Sequence, residues 1–352
     1  MKVMVIIMVM RRNKLKLWIK VILSVFIVIV LGALLTLGYT FYKLNKINTT
    51  IISKTDEDLG IKREVPLKEE VNITSEIPIK EQVVSEITNI AFFGLDRRNK
   101  NDASRSDSIM IISIYEKHKK IKMSSIMRDT YVKINNHGYT KLNHAYAYGG
   151  PQLAIRTLNE NFDLNIRNYV AVDFINLEKI IDALGGVTIQ VNKDEINFLN
   201  SYMVGVAFSE KKSVPKVTEP GEQNLNGLQA VAYSRIRYTA GGDYRRTERQ
   251  RTVLSAMFTK IRSLGITKLP SIVSEFLPYT ETSMSSMEIM KLGSKVFTSN
   301  IKTLDEERFP VDGYCKGKTL DKVWYLVADM KKTVDQLHKF IYEDIKPIPK
   351  SP

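Results

Sequence analysis

An apolar segment without charges constrains this chain more than any other feature. From Val21 to Tyr42 the sequence VILSVFIVIVLGALLTLGYTFY contains no charged residue. A helix of this length matches the hydrocarbon core of a bilayer, which is about 30 Å thick. A core helix usually keeps a polar face, and a cleaved signal peptide would end in small residues instead of the bulky Tyr39 and Phe41. We therefore predict one uncleaved transmembrane signal anchor over residues 21–42.

Basic residues crowd the segment before this apolar run, and acidic residues dilute them after it. The basic set before the run is Arg11, Arg12, Lys14, Lys16 and Lys20. Because cytoplasmic flanks carry the excess of Lys and Arg, residues 1–20 are predicted to be a cytoplasmic leader of a single-pass protein of the cell membrane. The remainder is expected outside the cytoplasm. Residues 43–87, interrupted by Pro66 and Pro78, are predicted to form an extracytoplasmic stalk.

The charge balance favours partners that carry negative charge. A formal net charge of +14 attracts nucleic acid, anionic lipid or phosphate-bearing substrates. The single cysteine, Cys315, excludes an internal disulfide, and the four histidines lack the spacing of a zinc site. Neither a G-x-S-x-G motif nor a Walker A loop is present. Zinc, serine-hydrolase and P-loop chemistries are therefore disfavoured.

Three strands are predicted in succession after the stalk. They are NIAFFGL at 89–95, SIMIISIY at 108–115 and KIKMSSI at 120–126. If they pair as a meander, Asp96, Asp107 and Arg128 meet at one edge of the sheet. Two carboxylates beside an arginine suit a magnesium ion shared with a phosphate oxygen. A solvated strand edge with surface ion pairs is the competing interpretation, and the residues alone leave it open.

The middle of the chain alternates helix and strand signals. Pro151 is predicted to open a helix, and YVAV followed by NLEKIIDALGGVTIQV predicts a strand, a helix stopped at Gly185–Gly186, and a further strand. This alternation is typical of an α/β fold. Residues 192–224 are polar and are predicted to be an irregular insertion.

A second basic group lies at the predicted start of a later helix. With Asp243 as N-cap, Arg245, Arg246 and Arg249 fall in the first two turns. A helix N-terminus disfavours positive charge by about 0.3–1 kcal/mol per residue, so clustered arginines there indicate a bound anion. A basic surface helix without a ligand is the alternative.

Seven motifs, taken in order, are similar to those of the LytR-CpsA-Psr family. They are GLDRR at 94–98, RSDS at 105–108, SIMRDTYV at 125–132, KLNHAYAYGG at 141–150, DALGGV at 182–187, LNGLQAVAYSRIR at 225–237 and DYRRTERQ at 243–250. The resemblance covers roughly residues 88–345, with residues 346–352 left as a tail. It implies an α/β, αβα-type layered domain with a central mixed sheet, preceded by the single N-terminal transmembrane helix.

The resemblance also implies an activity and its partners. Members of this family are phosphotransferases that move a glycopolymer, such as teichoic acid or capsular polysaccharide, from undecaprenyl pyrophosphate to peptidoglycan. An enzyme of this kind is therefore expected here, with Mg²⁺ as its cofactor and Mn²⁺ as the alternative ion. The expected partners are the lipid-linked glycopolymer, peptidoglycan and the membrane, with no nucleic acid.

Site residues follow by motif from the same resemblance. The metal would be held by Asp96 and Asp107. Pyrophosphate binding is implied for Arg105, Arg128, Lys141, Arg235, Arg237, Arg246, Arg249 and Gln250, and catalytic roles for Arg128, Asp129, Arg237 and Arg249. Asn143 and Asp243 would support this group.

Two other functions compete with the transferase. A module that binds polyprenyl pyrophosphate, or a pyrophosphatase, would need the same residues, because hydrolysis and transfer differ only in the acceptor. A transcriptional regulator or attenuator would also be basic. However, the basic motifs follow the predicted span on its outer side, and no helix-turn-helix or zinc-finger pattern lies among them.

Overall fold

The computed structural model of the chain describes most of the segment after the predicted span. The described residues are 50–62, 87–97, 104–116, 118–210, 215–239, 241–299, 301 and 304–350, with side chains omitted at 205–210. All of them belong to one unit, Asn48–Pro352. The leader and the signal anchor predicted over residues 1–42 lie outside the described residues. Within the described ranges, no helix has the length and hydropathy needed to cross a membrane.

A mixed β-sheet forms the centre of this unit. The described strands are β1 (Ile87–Leu95), β2 (Ser106–Tyr115), β3 (Lys120–Ile126), β4 (Tyr131–Ile134), β5 (Gly138–Lys141), β6 (Asn168–Asp173), β7 (Val187–Val191), β8 (Gly221–Leu225), β9 (Glu281–Thr282), β10 (Leu304–Phe309), β11 (Cys315–Leu320) and β12 (Val323–Ala328). Six of them form the central sheet in the order β10-β3-β2-β1-β6-β9, and the others pair as the ribbons β4-β5, β7-β8 and β11-β12. The predicted meander of β1, β2 and β3 is confirmed by their antiparallel pairing.

Helices cover both faces of the central sheet. They are α1 (His144–Phe162), α2 (Phe174–Ala183), α3 (Lys193–Glu210), α4 (Gly227–Ser234), α5 (Gly242–Leu264), α6 (Leu269–Phe276), α7 (Ser286–Thr298) and α8 (Met330–Glu343). Side chains alternate between the faces of a strand. Phe93 of β1 accordingly packs in a cluster with Leu158 of α1 and Phe340 of α8, whereas Phe92 packs in the cluster of α2, α4 and α5. The predicted α/β class with a central mixed sheet is thus confirmed.

Several strands end at one edge of the sheet. β6 runs parallel to β1, with Leu95 opposite Asp173, and β10 runs parallel to β3, with Phe309 opposite Ile126. Because β2 is antiparallel to its neighbours, it begins at this same edge, at Ser106. The loops that follow β1, β3 and β6 and precede β2 therefore meet there.

One local prediction in the middle of the chain was wrong. Residues 192–224 are not irregular throughout, because α3 buries Leu199 and Met203 at a helical i, i+4 spacing and β8 follows it. The prediction that Pro151 opens a helix is confirmed, because Gly149 and Gly150 are non-helical and separate it from a preceding helical segment that begins at His144; α1 comprises both parts.

Part of the predicted stalk is folded onto the domain. Leu59 is fully buried in the cluster of α1 and α8, and its backbone carbonyl accepts a 2.8 Å hydrogen bond from Asn159 Nδ2. Thr50 N donates to Thr282 O at 3.1 Å, beside the end of β9. Residues 50–62 are therefore part of the packed structure.

Candidate functional site

Arg128 lies at the centre of the polar edge of the sheet. It follows β3 directly, in the turn before β4. Its Nη1 donates to Asp107 Oδ1 at 2.5 Å, its Nε lies 3.5 Å from Asp129 Oδ2, and its Nη2 lies 3.8 Å from Asp243 Oδ1. Burial opposes the charged form of Arg128, but the three carboxylates outweigh this effect and raise its pKa. Arg128 therefore joins three separate segments through charge.

Asp107 comes from an irregularity in the sheet. Gly94 pairs with Ser108 and Leu95 with Ser106, so Asp107 is the extra residue of a β-bulge. Its second carboxylate oxygen lies 3.7 Å from Arg237 Nη2, and its backbone carbonyl lies 3.5 Å from Arg246 Nη2. The bulge thus brings Asp107 between arginines of three different elements.

Arg246 is the most deeply buried cation at this edge. Its residue is 2% exposed, and its Nη2 lies 2.9 Å from Asp243 Oδ1. Burial lowers the pKa of Arg246 to about 10; Asp243 opposes this effect, while Arg128 and Arg237 add to it. An anion placed among these three cations would relieve their repulsion and favour the charged form of Arg246.

The start of α5 differs from its prediction. Its N-cap is Gly241, with φ of 95° and no side-chain cap, instead of Asp243. Asp243 therefore lies in the first helical turn, where a carboxylate is favourable and compensates Arg246. The helix therefore begins two residues earlier than predicted, and Asp243 offsets part of the unfavourable positive charge at its start.

Lys141 and Asp129 extend the group on the side of the β4-β5 ribbon. Lys141 Nζ lies 2.7 Å from Asp129 Oδ1, and Asn143 N donates to Arg128 O at 3.1 Å. The Asn143 Oδ1 atom is buried and has no hydrogen-bond partner among the described residues. Both Lys141 and Asn143 thus lie beside Arg128.

We call these connected side chains the edge cluster: Arg128, Lys141, Arg237, Arg246, Asp107, Asp129 and Asp243. Four cations face three carboxylates, so the edge cluster carries an excess of positive charge. Arginines that converge in a partly buried site bind phosphate oxygens through charge-assisted hydrogen bonds. The arrangement can therefore hold a phosphorylated group.

Other predicted binding residues lie around the edge cluster. The guanidinium of Arg235 lies 4.8 Å from the ring centroid of Phe174, which follows β6 at the same edge. Arg105 is exposed next to the bulge. Burial is the main cause that lowers the pKa of His144, and the positive charges of Arg105 and Lys141 lower it further. Gln250 is buried within α5.

Arg249 is held by different partners from those of the edge cluster. Its Nε lies 2.7 Å from Glu195 Oε1 of α3, its Nη1 donates to Ile236 O at 3.1 Å, and its Nη2 donates to Thr239 Oγ1 at 2.7 Å. It therefore fastens α5 to α3 and to the segment that carries Arg237. Sequence reasoning missed Glu195 because residues 192–224 were predicted to be irregular.

The carboxylates of Asp96 and Asp107 suit a metal ion that is bound jointly by protein and substrate, and not one held by protein ligands alone. Asp96 follows β1, and its backbone N–H donates to Arg105 O at 3.5 Å, so its strand end adjoins that of Asp107. In the part of the chain that the structure describes, no three His, Cys, Asp or Glu side chains are grouped to hold a metal. Mg²⁺ is commonly bound by one or two carboxylates together with phosphate oxygens and water. Asp96 and Asp107 supply two carboxylates of this kind on neighbouring strand ends.

Known proteins share this architecture. A solved structure of TagT bound to LIIa-WTA superposes with a TM-score of 0.59 at 26% sequence identity, and the match covers 80% of this chain and 96% of that chain.

Curated relatives align over much of the chain. TagT of Bacillus subtilis (strain 168), a polyisoprenyl-teichoic acid–peptidoglycan teichoic acid transferase, is 32% identical over 261 residues, which are 72% of this chain and 74% of TagT. The regulatory protein MsrR of Staphylococcus aureus (strain COL) is 34% identical over 208 residues, which are 58% of this chain and 59% of MsrR. The model of the LytR_cpsA_psr family matches residues 41–340. The edge cluster and α5 lie within the matched range, and the chain belongs to the LytR-CpsA-Psr family.

Proposed function

We propose that this chain transfers a phosphate-linked glycopolymer of the teichoic acid or capsular type from undecaprenyl pyrophosphate to peptidoglycan. The observation that carries the proposal is the edge cluster, in which Arg128, Arg237 and Arg246 converge and the pKa of buried Arg246 is lowered to about 10. A pyrophosphate supplies the negative charge that this group lacks. The activity by which the relative TagT is named supports the same conclusion.

Phosphoryl transfer asks the protein mainly for positioning and charge stabilisation. In the proposed reaction, Arg128, Arg237 and Arg246 hold the pyrophosphate, and a sugar hydroxyl of the acceptor attacks the phosphorus that carries the glycopolymer. A new oxygen–phosphorus bond forms, the bond to the bridging oxygen breaks, and polyprenyl phosphate leaves with the electron pair. The hydroxyl proton passes to solvent. Asp107 and Asp243 keep the arginines oriented between turnovers.

A magnesium ion is part of the proposal. Asp96 and Asp107 would hold it at the bulge, with Mn²⁺ as the alternative ion. When bound, the ion neutralises charge on the pyrophosphate oxygens. The aspartates need no further protein ligand for this role, because the substrate supplies oxygens.

We place the domain outside the cytoplasm, anchored in the cell membrane by residues 21–42. The distribution of basic residues around that segment supports this topology. A substrate on a polyprenyl carrier is confined to the membrane, so an anchored enzyme meets its donor there. No nucleic-acid partner is proposed.

The reaction can be tested with the purified full chain and a synthetic short-chain polyprenyl-pyrophosphate disaccharide. The phosphorus next to the sugar is isotopically labelled, and peptidoglycan fragments are supplied as acceptor. We expect the label to appear on the acceptor together with the sugar, and polyprenyl monophosphate to be released. Release of labelled sugar phosphate without acceptor product would establish a pyrophosphatase. Tight donor binding without turnover would leave a binding module.

The proposed metal site has its own test. Asp96→Asn should remove the thermal stabilisation that Mg²⁺ gives in the presence of donor, and should raise the Mg²⁺ concentration needed for half-maximal transfer. Combining it with Asp107→Asn should add little to the loss of the Mg²⁺ response, since both residues act through one ion. Equal Mg²⁺ dependence in the wild type and in Asp96→Asn would contradict the shared ion.

A further inference from the structure

A group of exposed and half-buried aromatic rings lies beside the edge cluster, at the junction of two β-ribbons. Tyr139 of β5 is 61% exposed and Trp324 of β12 is 48% exposed. Large exposed rings that lie close together mark interaction sites more often than scattered single side chains do. We call Tyr131, Tyr139, Trp324 and Tyr325 the aromatic ledge.

Ring contacts join the two ribbons into one surface. In the β4-β5 pairing Tyr131 lies opposite Lys141, and Tyr139 lies opposite Lys133, so these side chains share one face. The Tyr131 ring lies 5.4 Å from Tyr139 and 4.9 Å from Tyr325 of β12, centroid to centroid. Ring contacts therefore join Tyr131, Tyr139 and Tyr325, and Trp324 adjoins them through Lys141, the cross-strand partner of Tyr131.

The indole of Trp324 is held against bare backbone. A Cβ added to Gly317 of the neighbouring strand would approach Trp324 Nε1 to 2.8 Å, which is too close for a side chain. One side of the Trp324 indole therefore packs on Gly317 of β11, while about half of the residue stays exposed. Such support fixes a ring before any ligand arrives, which lowers the entropy cost of binding.

The aromatic ledge is directly connected to the edge cluster. Lys141 Nζ lies 5.7 Å from the centroid of the Trp324 ring and also 2.7 Å from Asp129 Oδ1. Leu326 N, two residues after Trp324, donates to Asp129 O at 2.9 Å. The pair Lys141–Asp129 therefore contacts both surfaces and places the aromatic ledge next to Arg128 of the edge cluster.

We propose that the aromatic ledge binds the uncharged glycan of the acceptor and presents its hydroxyl to the edge cluster. This inference rests on the proposed function, which requires a saccharide beside the bound pyrophosphate. The negatively charged face of an aromatic ring attracts the polarised C–H bonds of a sugar ring, and phenol and indole groups add hydrogen bonds. A neutral glycan gains little from arginines, so it needs a surface of this kind.

The chain provides its own reporter for this site. It contains two tryptophans, Trp18 and Trp324, so Trp18→Phe leaves Trp324 as the single indole of the full-length protein. Titration with an uncharged oligomer of N-acetylglucosamine should then change the Trp324 fluorescence. In the transfer assay, Trp324→Ala should raise the acceptor KM about threefold to tenfold, as expected for loss of one aromatic contact, with the donor KM unchanged.

Controls separate this inference from the proposed function. Trp324→Phe, which keeps a ring, should retain part of the acceptor affinity, and Met287→Ala, at an exposed apolar residue of α7, should behave as the wild type. If Trp324→Ala has a normal acceptor KM and transfer is intact, the aromatic ledge does not bind the acceptor, whereas the proposed transferase activity is retained. A fluorescence change with phosphatidylglycerol vesicles but none with the oligomer would overturn glycan binding by the ledge in favour of a membrane contact. Oligomer binding without any transfer would instead support the ledge and reject the transferase.

Discussion

Two arginines of α5, only three residues apart, have different surroundings. Arg246 faces the edge cluster, where cations outnumber carboxylates, while Arg249 is neutralised by Glu195. The first is suited to an incoming anion, and the second already has its partner. Positive charge at a helix start therefore does not by itself identify a ligand-binding residue. The partners of each side chain in the fold determine whether it is available to a ligand.

The ion pair of Arg249 and Glu195 should be important for stability. Both residues are about 95% buried, with exposures of 5% and 4%. Removing one partner leaves an uncompensated buried charge, so Arg249→Met should lower the free energy of unfolding by about 3–5 kcal/mol. Urea denaturation followed by circular dichroism measures this loss.

A double change provides the control for that prediction. Arg249→Met combined with Glu195→Leu removes both charges and should recover part of the lost stability. Arg237→Ala, at an exposed side chain, should change stability little. Full stability of the Arg249→Met single variant would show that Arg249 is free to serve a ligand, as the sequence motif implied.

Gly227 allows the close approach of α4 to α2. A Cβ added to Gly227 at the start of α4 would lie 2.1 Å from the backbone oxygen of Glu178 in α2, so the two helices could not keep their separation. Gly227→Ala should therefore destabilise the domain by about 1–3 kcal/mol. Because α4 ends just before Arg235 and Arg237, the same change should also weaken donor binding.

Gly293→Ala is the matched control for Gly227→Ala. Its added Cβ would meet only the end of the flexible Leu269 side chain, at 2.9 Å, and replacing glycine within a helix favours the helix by about 1 kcal/mol. Stability near that of the wild type is expected in urea denaturation. If both alanine variants unfold at the same urea concentration, the close contact of α2 and α4 does not require glycine at position 227, and the prediction is contradicted.

Local patterns predicted some elements well and others poorly. The strands β1 to β3 were predictable because apolar runs of strand length end at polar loops. In α3, by contrast, Leu199 and Met203 keep a helical i, i+4 spacing, but the polar residues around them favoured an irregular segment. The burial that stabilises the helix comes from α4 and neighbouring strands. The same reason hid the partner of Arg249.

At the scale of the molecule, topology assembles the candidate site. The antiparallel meander and the parallel pairing of β6 and β10 bring separate loops to one edge, and α5 and the turn after β3 add the arginines. Sequence reasoning could place Asp96, Asp107 and Arg128 together from the meander alone. It could not place Trp324 beside Lys141, because that contact depends on two ribbons more than a hundred residues apart in the sequence.

The edge cluster is proposed to bind the pyrophosphate of the donor. The Kd of farnesyl pyrophosphate tests this, measured by isothermal titration calorimetry for the wild type and for two variants of equal charge change. Arg237→Gln removes an arginine of the edge cluster, whereas Arg245→Gln removes an exposed arginine of α5 that pairs with Glu248. A charge-assisted hydrogen bond is worth about 1.5–3 kcal/mol, so Arg237→Gln should weaken binding about tenfold or more while Arg245→Gln leaves it unchanged. Equal affinity in all three proteins would contradict the assignment of the edge cluster as the pyrophosphate site.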